Sequence, residues 1–184
     1  MANVDAAFGL KAIGKVGQNS DNQGLSEYAI AASTAAIYQN DAVEMAASGY
    51  IVPADASGAL LGVLNGVFYT DSSNQKPTWA NHLAAANAAT DIVGFIADDP
   101  YERFEVQSAG TVTQADIGLC APLAVVAGST PNFVSKTEIS GTMGASENQL
   151  KIIGLAKDVG NSFGLNANVV VTINQHFLKQ TAGI

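Results

Sequence analysis

Asn168-Val169-Val170-Val171-Thr172-Ile173-Asn174 sets Val169, Val171 and Ile173 on one side of an extended chain, with Thr172, Asn174 and the nearby His176 on the other. Alternation at a period of two, built from β-branched residues, is the pattern of a strand with one face in a core. The longest apolar run, Leu60-Leu61-Gly62-Val63-Leu64-Asn65-Gly66-Val67-Phe68-Tyr69, is also a strand, but two glycines lie inside it. Glycine inside a strand marks a bulge or a bend where a sheet curls. Further strands are expected over residues 27–31, 36–38, 42–45, 50–52, 91–97, 103–107, 133–139 and 150–157, with Arg103, Glu105 and Gln107 forming a wet face opposite Phe104 and Val106.

This rhythm predicts an all-β protein: a curled antiparallel sheet forming a β-barrel or tight sandwich, with an extended N-terminal arm and a long loop excursion. Residues 1–24 read as the arm, rich in Asn, Gly and Ala and dotted with Val4, Phe8, Leu10, Ile13 and Val16. Residues 25–184 read as a single β-rich domain. Its excursion spans about 71–89, where Asp71-Ser72-Ser73-Asn74-Gln75-Lys76-Pro77 precedes the lone Trp79 and an alanine-rich piece with room for one or two helical turns. Trp79 reads first as a pin holding its own loop and second as an anchor for a neighbouring subunit.

At 184 residues the chain suits one domain and buries roughly 70% of its unfolded surface without staples. Cys120, between Leu119 and Ala121, reads as a small buried hydrophobe. The start shows no basic region followed by an apolar core, so synthesis in a reducing cytoplasm is expected. The uncharged stretch 117–135 is broken by Pro122, Gly128 and Pro131 and reads as strands and turns, which predicts no membrane span. A formal net charge of −8 repels phosphate backbones, and the eight basic residues are scattered along the chain, so no nucleic-acid partner is expected.

Little in the sequence has the spacing of a catalytic or metal site. Asp98-Asp99-Pro100-Tyr101-Glu102 gathers three carboxylates at a turn but lacks the order of a calcium loop. Asn19 to Gly24 lacks the distal glutamate such a loop needs, since Ile30 stands there, and reads as turn chemistry. His82 and His176 are the only imidazoles, and no serine sits in a Gly-x-Ser-x-Gly elbow. The glycines around Gly58-Ala59-Leu60-Leu61-Gly62 do not end in Gly-Lys-Ser/Thr and form no phosphate loop. The expectation is a protein that is not an enzyme and takes no cofactor or metal.

Several segments carry a resemblance: Met1-Ala2-Asn3-Val4-Asp5-Ala6 followed by Gly9-Leu10; Ala97-Asp98-Asp99-Pro100 leading to Phe104-Glu105-Val106-Gln107; Ala115-Asp116-Ile117-Gly118; Leu150-Lys151-Ile152-Ile153-Gly154-Leu155; and Val171-Thr172-Ile173-Asn174-Gln175-His176. Together they resemble the head decoration, or cement, proteins of tailed bacteriophages. The chain departs from that pattern where Lys11-Ala12 follows the Gly-Leu in place of an expected proline. The resemblance implies a virion structural protein, assembled in the host cytoplasm, that binds the outer face of the capsid and staples neighbouring major capsid protein subunits, often as a trimer or dimer. Val4, Phe8, Leu10, Ile13 and Trp79 are then the expected partner interface, although Phe8 and Leu10 can equally fold back on their own domain. A tail or baseplate structural protein, or a carbohydrate-binding β-domain, are the alternatives.

Overall fold

The computed structural model describes residues 3–16 and 24–179. Within them every ladder between named strands is antiparallel. Two sheets dominate. The first has five strands in the order β1 (Lys11–Lys15), β8 (Glu102–Gln107), β15 (Asn168–Ile173), β13 (Leu150–Leu155) and β10 (Cys120–Ala121). The second has the order β2 (Ser26–Ala29), β7 (Val93–Ala97), β5 (Leu60–Thr70), β3 (Ala42–Met45) and β4 (Ile51–Pro53), with β6 (Pro77–Ala80) also paired to β5. Two short ladders join β11 (Leu123–Ala124) to β12 (Glu138–Ile139) and β14 (Gly164–Leu165) to β9 (Thr111–Val112). The all-β antiparallel expectation holds. The barrel does not: both large sheets are open, each with two unjoined ends.

The alternation read in the sequence decides what each sheet buries. Phe104, Val106, Leu150, Ile152, Val169, Val171 and Ile173 from the five-stranded sheet share one core with Ala42, Leu60 and Val63 from the six-stranded sheet. The opposite face of the six-stranded sheet is buried too, because Leu61, Leu64, Val67 and Ile96 pack with Ile30, Ile37, Leu83 and Ile92 from its connecting segments. β5 therefore runs through both cores, which is why it reads as a nearly continuous apolar run.

Two bulges make this possible. Val43 pairs with Gly62 and Glu44 with Leu60, leaving Leu61 as an extra residue; Leu64 pairs with Ile96 and Gly66 with Phe95, leaving Asn65 extra. Each extra residue shifts the side-chain phase, so Leu61, Leu64 and Val67, three apart, reach the same core. The glycine-marked bends in this strand are thus where the sequence placed them.

The excursion expected over 71–89 needs correction. Residues 77–80 form β6, with Phe68 opposite Trp79 and Thr70 opposite Pro77. Proline is tolerated there because it opens a strand at the edge of the sheet. The alanine-rich piece forms turns rather than a helical turn.

Candidate binding surfaces

The N-terminal segment is extended, and the described part of it is docked on its own domain by side-chain amides. Asn3 Nδ2 donates to the carbonyls of Ser162 and Leu165, at 2.9 and 2.8 Å, and its Oδ1 accepts the Ser162 N–H. Gln107, buried at the end of β8, imitates a neighbouring strand: its Oε1 accepts the Ala6 N–H at 2.8 Å and its Nε2 donates to the Val4 carbonyl at 2.9 Å. Asn40 does the same further on, donating to the Phe8 carbonyl and accepting the Leu10 N–H through its backbone oxygen. Between these sits Gly9, at φ +76°, where a Cβ would come within 2.4 Å of the Asn40 oxygen and 2.5 Å of Ser135 Cβ. No other residue fits that approach. The chain then enters β1, with Ile13 as an extra residue bulged out between the Ala12–Phe104 and Gly14–Arg103 pairs.

The five expected interface residues therefore separate. Leu10 is fully buried in the core between the sheets and unavailable to a partner, so for this residue the fold-back alternative is the one realised. Phe8 is half-buried. Val4, Ile13 and Trp79 are exposed, at 76%, 39% and 56%.

Three surfaces result. At one end, Val4 on the docked arm lies beside the loop that Asn3 grips, where Val159, Phe163 and Leu165 are also exposed. A cavity of about 370 Å³ opens there, lined by Asn3, Val4, Phe8, Gln107, Val159 and Asn161 among others. Its amides are already engaged: Asn161 bonds the Ala156 and Asn168 backbones, and Gln107 Nε2 also bonds Asn166 and Asn168. The cavity's polar groups hold loops together, and its apolar rim is what faces outward.

The second surface is aromatic. Strand register puts Phe68, Trp79, Val93 and Phe95 on the same face as Val63 and Ala97, yet none of the four belongs to either core. Trp79 packs on Phe95 with ring centroids 4.8 Å apart, and its indole covers Gly66 so closely that a Cβ there would lie 2.6 Å from the ring. Phe68 is 40% exposed beside it. These side chains lie on the inward-facing side of the six-stranded sheet but outside the core it shares with the other sheet.

The third surface is cationic, which the linear sequence does not show. Register aligns Gly14, Arg103, Thr172 and Lys151 in one row on the outer face of the five-stranded sheet, and Lys11, Glu105 and Val170 in the next. Ile13 and Ile153, each an extra residue in a bulge, stand out from this face at 39% and 42% exposure. Glu105 is raised to about 7 by burial and by its neighbour Asp158, so it is only partly ionised near neutrality and offsets the cations of this face incompletely.

The titratable groups weighed in the sequence are spent on structure. Asp98 accepts the hydroxyls of Ser26 and Tyr28, and burial with this carboxylate pushes the Tyr28 phenol up to about 12. Asp99 accepts the Tyr101 N–H and pairs with Lys15 at 2.9 Å, both of which hold it below the usual carboxylate range. Glu102 is buried and accepts the Gly14 N–H, burial raising its carboxyl. His82 stacks on Phe133 at 3.8 Å, and burial lowers its imidazole. His176 is fully buried; its Nδ1 accepts the Leu178 N–H, and burial drops it to about 4. Cys120 is buried. Among the described residues no three His, Cys, Asp or Glu side chains gather as a metal would need, and no helix is long and apolar enough to cross a membrane. Residues 19–23 of the Asn19–Gly24 loop lie outside the described residues.

No family model, no curated protein and no solved structure matches this chain.

Proposed function

We propose that this protein is a decoration protein of a tailed-phage head: a tight β-sandwich that binds the outer face of the capsid and staples neighbouring major capsid protein subunits. The observation that carries the reading is the apolar end surface, where Val4 on the arm and Val159 and Leu165 on the gripped loop stand exposed together. Large apolar side chains clustered on a surface mark a contact with another macromolecule. The phage head as that macromolecule comes from the resemblance in the sequence, and the acidic balance of −8 suits the outside of a shell better than its DNA-facing side. A subunit touching two capsid proteins gains full affinity only when both are correctly placed, so binding and reinforcement are the same free energy.

Co-sedimentation with expanded phage heads lacking the protein tests this. The wild-type chain should pellet with the heads. Val4→Asp combined with Val159→Asp should weaken binding roughly tenfold or more, because a desolvated contact would then bury charge. Absence of pelleting, or unchanged binding by the variant, contradicts the proposal.

A further inference from the structure

We propose that the cationic and aromatic faces are two halves of one contact: the outer face of the five-stranded sheet in one copy docks on the open Phe68–Trp79–Phe95 face of the next, so that copies associate head to tail. Both faces are sheet surfaces with an apolar centre. Val170 and Ile153 lie near the middle of one, with Ile13 at its β1 edge, and Phe68, Trp79, Val93 and Phe95 form the centre of the other. Sheets pack face to face through such centres.

Charge selects the pairing. The first face carries Lys11, Arg103 and Lys151 against Glu105 and Asp158. None of these three cations forms a direct ion pair with another described residue; Lys11 acts on Glu105 and Asp158, and Arg103 on Glu102, through space, and Arg103 Nε is buried without a hydrogen-bond partner. The second face is acidic at its margins: Glu27 lies opposite Phe95, and Asp91 accepts the Thr70 N–H at the far end, offset in part by Lys76 in the adjoining turn. Two acid-rimmed faces repel each other, as do two cationic ones, whereas one of each attract. In a chain of net charge −8, a cationic face attracts the acidic remainder of a second copy. The contact is heterologous, so it propagates from copy to copy and closes as a ring when the rotation permits.

Sedimentation of the purified full-length chain tests the contact in the absence of heads, so its failure leaves head binding standing, and failure of head binding leaves it standing. The wild type should sediment above monomer mass, and raising NaCl from about 0.05 to about 0.5 M should weaken the association. Lys151→Glu with Ile153→Asp disables one face, and Phe68→Asp with Trp79→Ala disables the other; each variant alone should be monomeric, its self-association weakened at least roughly tenfold. Mixed one to one, the two variants should form a heterodimer, because each retains the face the other needs. Circular dichroism and thermal unfolding confirm that both variants fold, and the salt series on the wild type reads the contact without any substitution. A wild type that stays monomeric, a single-face variant that keeps the wild-type mass, or a mixture that forms no heterodimer overturns the proposal.

Discussion

Gln107 and His176 show how tertiary context reassigns residues that look ordinary in sequence. Gln107 ends an alternation whose odd members, Arg103 and Glu105, point outward, and it shares their face; yet it is buried because the N-terminal segment lies over it and uses its amide as a strand edge. Nothing local to β8 signals this, since the partner is about a hundred residues away. His176 stands at the end of a strand pattern, where a solvated or hydrogen-bonded ring is the ordinary outcome. It is fully buried, with Nδ1 engaged and Nε2 without a hydrogen-bond partner. A pKa lowered from 6.5 to about 4 means that the folded chain keeps the neutral ring while the unfolded chain takes up a proton. The resulting stability is complete above 6.5 and is lost as pH falls through about 4. In urea titrations from about pH 7 to about pH 4.5, the stability of the wild type relative to His176→Gln should fall by roughly 1–2 kcal/mol, after allowance for solvent screening. A difference that does not change with pH would exclude this role.

At the scale of elements, strands with a sustained apolar pattern were readable, short ones included, and those whose pattern is broken by a bulge or turn residues, or that span only two residues, were not. The strand expected over 133–139 forms only at Glu138–Ile139, and none forms over 36–38. β3 and β5 occupy the residues expected from their apolar patterns, 42–45 and 60–70. β1 was hidden because the bulge at Ile13 breaks its alternation and Gly14 adopts φ +138°. β6 was hidden because Pro77 and Asn81 bracket it with turn chemistry, and the two-residue strands have no periodicity to read. The same scale separates a docked arm from a free one. Leu10→Ala should cost about 2–5 kcal/mol in denaturant unfolding, as for other buried leucines, whereas Val4→Ala should change stability by less than about 0.5 kcal/mol. Equal, small effects at both positions would mean that the arm does not contribute to the fold.

For the whole molecule, apolar residues in a polar arm are visible in the sequence, whereas which of them the fold consumes is not. Leu10 went to the core; Val4, Ile13 and Trp79 stayed on three different surfaces. The cationic face was illegible for a different reason: Lys11, Arg103 and Lys151 are far apart in the chain and meet only through strand register. Phe68 lies in a strand as its apolar run predicts, and Trp79, expected in a loop, pairs opposite it in β6; both are exposed. The molecule has one core between its sheets, a second beneath the larger sheet, and an apolar, an aromatic and a cationic surface facing outward, on which the proposed role of holding neighbouring capsid subunits rests. Cryo-electron microscopy of phage particles assembled with this chain present tests that most directly. The account predicts density for the two-sheet domain on the outer surface of the head, its Val4–Val159–Leu165 end against the capsid; heads bare of that density, or density confined to the tail, would contradict it.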